Sequence, residues 1–308
     1  MSPDLVNTVL AARRFYVDGA SKSDIATELG LSRFKVSRLL EAALRDGIVK
    51  ITIDVPAEVD IDASARVAAA FGIRKALVVQ IVDSSEEFMR AQLGRAAAEV
   101  LGSCVTRDDV LGLSWGNTLH AMVGALGDLP RCTVVQVVGG VPVDLNINAM
   151  ELVRQVADRA GGPVYSLHVP MVLDTPEAAA AIRREDHVRR TVAQFGRLTK
   201  AVVGIGAWEA DRSALGSALP PEVAAAARDA GAVADICMVM LADDGQVVPV
   251  KALSNRLVAI GADQLARVPE VIAVAGGAAK ARAVAAALRS GLVHHLVTDQ
   301  ACASALLA

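Results

Sequence analysis

Apolar and polar positions along this chain fall into two regimes, one for the first 54 residues and another for the rest. From Leu5 to Ile48 apolar residues return every three or four positions, the period of short amphipathic helices. Residues 5–18 are expected to form the first, with Leu5, Val9, Leu10, Ala12 and Phe15 as its apolar stripe and Gly19 as its stop. Ser21 is placed to cap a second helix, with Asp24 in its positive first turn and Ile25 and Leu29 inward. Gly30 allows a left-handed turn. Ser32 then caps a third helix whose inner side is Val36, Leu39 and Leu40, continued by Ala43 and Leu44, with Arg33, Ser37 and Arg38 opposite.

A small residue at the crossing (Ala26), a turn glycine (Gly30) and an apolar anchor on the second helix (Val36) stand at the spacing of a helix-turn-helix. Such a helix presents its first two turns to base edges in the major groove, which selects Ser32, Arg33, Phe34, Ser37 and Arg38 as readers and Lys35 as a phosphate contact. The plain alternative is a helical hairpin whose basic residues are merely solvated. Val49 to Val55 is a strand-like run, either a wing or the start of a linker, and Pro56 with the acidic residues after it breaks the pattern. The expected organisation is residues 1–54 as a DNA-binding head and 55–308 as an effector and oligomerisation domain.

Beyond the boundary, continuous apolar runs alternate with Ala-rich amphipathic helices. Expected strands are Ala76–Val82, Val110–Ser114, Thr133–Val138, Val164–Val169, Ala201–Ile205, Ile236–Leu241, Val271–Ala275 and His294–Thr298. Runs without alternation are buried on both faces, so the class is α/β, a doubly wound, mostly parallel sheet covered by helices. Ligands of such sheets bind beyond the carboxyl ends of the strands.

Composition narrows the setting. The chain has 308 residues, 53% of them hydrophobic, enough for two domains with a large core. No apolar run reaches ~18 residues and no basic-then-apolar leader opens the chain, so a cytoplasmic protein without a membrane anchor is expected. Cys104, Cys132, Cys237 and Cys302 lie far apart in apolar contexts, in no metal-ligand spacing, and read as reduced core thiols; a nucleophilic Cys302 is the alternative. Neither metal nor cofactor is expected. Residues 1–53 carry eight Lys/Arg against six Asp/Glu, a net +2 that leaves −5 for the remainder. So weakly basic a head holds DNA poorly alone, which calls for paired heads on an oligomer.

Glycine and small polar residues gather where the strands end. Ser114-Trp115-Gly116-Asn117-Thr118 follows one strand and opens a helix, either an anion site or a capped turn. Gly276-Gly277-Ala278-Ala279-Lys280 follows another and places Lys280 in a first helical turn, where the dipole disfavours a cation unless an anion is also there; a solvated lysine is the alternative. Gly139-Gly140 and Gly204 with Gly206 end two more strands, for close approach of a ligand or for tight turns. Asp235, just before an apolar run, is placed either to accept hydrogen bonds from sugar hydroxyls or to cap a turn. Asp299 reads as a helix cap. His294 and His295 point alternately and read as structural.

The ordered blocks GLSRFKVSRLLEAALRDGIV, VLGLSWGNTL, VVQVVGG, VVGIG, GAVADI, VIAVAGGAAKARAVAAAL and GLVHHLVTDQACASALL resemble, over essentially the full length, those of the SorC family of sugar-binding transcriptional regulators, related to DeoR-type regulators. The resemblance implies an effector domain similar to phosphosugar isomerases and glucosamine-6-phosphate deaminase, and a homotetramer, a dimer of dimers. Its ligands would be double-stranded operator DNA and a sugar or phosphorylated sugar. It assigns Ser114, Gly116, Asn117 and Thr118 to a phosphate-contacting loop, Lys280 to the same anion and Asp235 to the sugar. Trp115 stands where the isomerase-type loop often has glycine. The rival reading is a sugar-phosphate isomerase or deaminase fused to a head; Asp235 would serve as its base, but no second carboxylate or His-Glu pair completes a catalytic set.

Overall fold

The computed structural model describes residues 3–51, 58–83, 85–140, 149–208 and 219–308. The chain divides into two compact units, Met1–Pro56 and Ala57–Ala308. The expected boundary and most of the run Val49–Val55 fall on residues 52–57, outside those described; Val49 to Ile51 are in no strand.

The first unit is three helices, α1 (Pro3–Tyr16), α2 (Lys22–Glu28) and α3 (Arg33–Arg45). Ser21 Oγ accepts the Asp24 N–H at 3.2 Å and Ser32 Oγ the Lys35 N–H at 3.1 Å, so both expected caps form. Gly30 turns the chain at φ +65°. The core is Ala11, Ala12, Ile25, Ala26, Val36, Leu39, Leu40 and Ala43, with Phe15 and Leu29 packed on it. Two details differ from expectation. Leu5, Val9 and Leu10 of α1 point to solvent, because the face with the small Ala11 and Ala12 lets the helix come close to its neighbours and so is the face that is buried. Leu44 is likewise exposed at the end of α3.

The second unit runs β1 (Glu58–Val59), α4 (Ile61–Phe71), β2 (Lys75–Gln80), α5 (Glu86–Cys104), β3 (Val110–Leu113), α6 (Asn117–Ala125), β4 (Thr133–Gln136), α7 (Ala149–Ala160), β5 (Val164–Tyr165), α8 (Pro176–Arg184) and α9 (Asp186–Gln194). It continues with β6 (Lys200–Gly204), β7 (Gly206–Ala207), α10 (Pro221–Asp229), β8 (Ala234–Ile236), β9 (Val239–Leu241), α11 (Ala262–Leu265), β10 (Glu270–Val274), α12 (Ala281–Arg289), β11 (His295–Asp299) and α13 (Gln300–Leu307). The main sheet has the order β1-β2-β11-β10-β6-β3-β4-β5, parallel except for the edge strand β1.

Alternate residues of one strand enter cores on opposite faces. Val78, Val135, Val203 and Leu296 join Val67, Val284 and Cys302 of the helices on one side. Val79, Val134, Val202 and Val297 join Leu93, Leu119 and Leu152 on the other. This double burial is what the unbroken apolar runs of the sequence encode.

One expected strand is not in this sheet. Ile236–Leu241 is split into β8 and β9, which with β7 form a separate antiparallel sheet. Cys237 and Met238, at φ +53° and +70°, make the two-residue turn between them. The main chain carries that conformation without glycine or asparagine, so the sequence shows no turn there. Val164–Val169 also stops early, at Tyr165; beyond it the Leu167 N–H is taken by the Gln136 side chain at 3.0 Å rather than by a strand.

At the amino ends of the strands, buried charges are paired. Lys200 Nζ lies 3.1 Å from Asp109 and 3.3 Å from Glu270, whose other oxygen is 3.5 Å from His295 Nε2. His294 Nδ1 accepts the Val271 N–H at 3.1 Å. Both histidines therefore hold strand ends together.

Candidate functional site

The carboxyl ends of β3 and β6 lie side by side, and the chain winds away from them in opposite directions, through β4 and β5 on one side and β10 and β11 on the other. That is a topological switch point, where connections diverge and leave a crevice. Ser114 follows β3; it is buried, and its Oγ accepts the N–H of Gly204, the last residue of β6, at 3.3 Å. The next residues open α6. Gly116 has φ +154°, a Cβ there would meet nothing within 4 Å, and Asn117 and Thr118 make no side-chain hydrogen bond among the described residues. The first N–H groups of α6 thus have no side-chain cap and carry the positive end of the helix dipole.

Beside this loop, Lys280 reaches across the end of β6 and donates from Nζ to the carbonyl of Ile205 at 3.3 Å. Burial pulls its ammonium below the usual lysine range; Arg90 acts in the same direction, and Asp235 and Glu86 oppose it. Glu86 and Arg90 form an ion pair in the first turns of α5. Nothing in the sequence around them marks a site; only the packing of α5 over the sheet brings them to Lys280.

Asp235 is in β8 rather than before a strand. Its carboxylate accepts Trp208 Nε1–H at 3.0 Å and the Met238 N–H at 3.3 Å, so it caps the turn that carries Cys237. Burial raises its pKa, against the pull of Trp208, Met238 and Lys280. Burial likewise pushes the Cys237 thiol far up, and Asp235 adds to this, while the Ser114 hydroxyl opposes it. Cys302 is pushed up to about 11 by burial.

The glycines divide by role. A Cβ on Gly206 would lie 2.0 Å from Asp235 Oδ1, and one on Gly139 2.8 Å from the Val169 carbonyl, so both serve close packing of the chain on itself. Gly140 exchanges hydrogen bonds with Val169 and Met171 in the same clasp. Gly204, by contrast, has only the Trp115 carbonyl near, at 3.8 Å from such a Cβ. Gly277, at φ +90°, donates its N–H to Asp299 Oδ2 at 3.0 Å; the other oxygen of Asp299 caps α13 through the Cys302 N–H at 2.7 Å. The structure therefore gathers Ser114, Gly116, Asn117, Thr118, Gly204, Gly206, Asp235, Gly277 and Lys280 at one edge, and places Gly139 and Gly140 in a packed clasp.

In the first unit, Arg33, Phe34 and Arg38 are exposed on the outer side of α3, Phe34 by 83%. The Ser32 hydroxyl is engaged as a cap. Lys35 Nζ sits 3.1 Å from Asp4, and Ser37 Oγ accepts from Lys22 Nζ at 3.1 Å. Lys22, which also lies over the Phe15 ring, brings a cation from α2 to the side of α3 that holds Ser37; standing alone at a helix start, it carries no signal in the sequence. Among the described residues no group of His, Cys, Asp or Glu could hold a metal ion, and no helix is long and apolar enough to cross a membrane.

The chain thus consists of a three-helix head and a doubly wound domain that presents at its switch point a half-buried lysine and a helix start with no side-chain cap among the described residues. Residues 55–308 match the family described as "Putative sugar-binding domain". The chain is 31% identical over 303 residues to the transcriptional regulator LsrR of Klebsiella pneumoniae, covering 96% of this chain and 90% of that protein. It is 30% identical over 307 residues to the erythritol catabolism regulatory protein EryD of Brucella abortus, covering 96% and 95%. Among solved structures, the full-length sorbitol operon regulator SorC from Klebsiella pneumoniae superposes with a TM-score of 0.75 at 25% identity over all of both chains. The chain belongs to the SorC/DeoR-type family of sugar-binding transcriptional regulators. These relatives are regulators and not enzymes, which sets aside the isomerase reading.

Proposed function

We propose that this protein binds operator DNA through its head and that a sugar or phosphorylated sugar, held at the switch point, changes that affinity. The observation that carries this reading is Lys280 on the carbonyl of Ile205, at the same edge of the sheet as the start of α6, whose first N–H groups have no side-chain cap among the described residues. Together they suit an anionic or polyhydroxylated ligand. In this reading Gly116, Asn117 and Thr118 take the anion, Lys280 neutralises it, Gly204 and Gly277 leave room for it, and Ser114, Gly206 and Asp235 set the wall behind. EryD and SorC are named for the catabolism of erythritol and for the sorbitol operon, which favours polyols and their phosphates among the ligands to be tried first.

In the head, Arg33, Phe34, Ser37 and Arg38 face the bases, with Ser32 at the helix start and Lys35 and Lys22 at phosphates. The working form is a cytoplasmic homotetramer, which would pair heads over two half-sites. A thermal-shift screen of the full chain with free and phosphorylated sugars and polyols tests the sensor, since a ligand that binds only the folded state raises the melting temperature. One compound or a small related group should do so. No shift with any of them would refute it.

A further inference from the structure

Phe34, the second residue of α3, is 83% exposed, whereas the other four phenylalanines of the chain are buried or half-buried. The head does not need it there. Val36, Leu39, Leu40 and Ala43 form the inner side of α3, and at ~100° per residue they centre almost directly opposite Phe34. A ring left in water forgoes the stabilisation of burial, and phenylalanine is a weaker helix former than alanine, leucine or lysine. Neither packing nor helix propensity accounts for the choice. The place on the helix does point to a use, because Phe34 lies at the middle of the outer face in the first turn, with Arg38 four residues on along the same line and Arg33 beside it.

We infer that the Phe34 ring packs on the C5-methyl group of a thymine in the operator, which makes Phe34 a residue that sets sequence preference. The inference rests on the DNA-binding reading above, in which the first turns of α3 meet base edges in the major groove. A phenyl ring neither donates nor accepts a conventional hydrogen bond, so the donor and acceptor pattern that distinguishes the base pairs is invisible to it. What it can recognise is an apolar group at the base edge. In the major groove that group is the methyl of thymine. The other use of an exposed apolar residue on DNA, as a wedge between stacked bases, belongs to proteins that enter the minor groove. The charged neighbours complete the arrangement: Lys22 and Lys35 flank α3 at its phosphate-facing sides, and Arg33 and Arg38 supply the hydrogen bonds that Phe34 cannot make.

The test uses the full-length protein and a duplex that the wild-type protein selects from random sequences. Deoxyuridine replaces its thymines in turn, symmetry-related positions together, which removes the methyl group and leaves every hydrogen-bonding group in place. Replacement at one position of the half-site should lower wild-type affinity roughly three- to fivefold, the worth of one buried methyl group. Phe34→Ala should bind the unmodified duplex more weakly by at least that factor, and the same deoxyuridine should then cost it nothing further. The side chain is in solvent, so the variant should fold as wild type does, and circular dichroism with a melting curve checks this. Phe34→Leu, still apolar, should keep part of the response to the methyl group. A duplex on which no thymine responds, an equal deoxyuridine loss in wild type and Phe34→Ala, or a Phe34→Ala loss that no thymine methyl accounts for would each overturn the inference. Failure of the DNA-binding reading shows differently, as no selectable duplex at all, and overturns the inference with it.

Discussion

The carboxylate of Asp235 occupies the space that a side chain on Gly206 would fill: a Cβ at that position would lie 2.0 Å from Oδ1. The same carboxylate takes the Trp208 indole N–H and the Met238 N–H, so one buried acid ties β7, β8 and the turn after it into a single wall behind Lys280. Gly206→Ala should therefore destabilise the protein by ~1–3 kcal/mol, the usual cost of overpacking a dense core. Urea titration of the single variants and of Gly206→Ala with Asp235→Ala checks it. The double variant should lose less than the sum of the two, because removing the carboxylate makes room for the methyl group; strict additivity would mean the two positions do not share that space.

The ionisation of Asp235 sets a second expectation. Burial raises its folded pKa above the unfolded value of about 3.9, so the fold favours the neutral acid. Its contribution is fully present below that unfolded value and is lost as pH rises through the folded one. Asp235→Asn keeps an acceptor for Trp208 and carries no charge. The melting temperature of the variant relative to wild type should rise from about pH 4 upward and level off once Asp235 is ionised in the folded wild type. A difference that stays flat over that range would show that the fold does not shift this group.

In the head, readers and anchors should separate. Arg33→Ala and Arg38→Ala should cost ~1–3 kcal/mol on the selected duplex and far less on a scrambled one. Lys22→Ala and Lys35→Ala should weaken both duplexes alike and flatten the salt dependence. Lys35 must first leave Asp4, an exposed pair that costs little to break, so Asp4→Ala should strengthen binding to both duplexes slightly. Titrations at several salt concentrations decide it; parallel losses for all four basic residues would move the reading face elsewhere.

Much of this was legible in the residues. The strands of the parallel sheet show as unbroken apolar runs because both of their faces are buried, and Ser21, Ser32 and Asp299 announce their helices because a cap acts within three residues of itself. What escaped was non-local or unconventional. Cys237 and Met238 take a left-handed turn that gives no sign in the sequence, so a hairpin read as one strand. The apolar stripe expected on α1 is right at Ala12 and Phe15 and wrong at Leu5, Val9 and Leu10, since both faces of the helix are apolar and only packing against the other helices distinguishes them. Lys22, Glu86 and Arg90 became candidates only when tertiary structure set them beside Ser37 and Lys280.

The central claim, that the crevice of the sheet controls the head, is met most directly by one titration. Wild-type protein and Lys280→Ala are titrated against the selected duplex, with and without the sugar or polyol derivative that raises the melting temperature most. Wild-type affinity should change on adding the compound, and Lys280→Ala should bind the duplex as tightly as unliganded wild type yet need far more compound to show the same change. Wild-type affinity that does not move at a concentration that saturates the thermal shift would contradict the account.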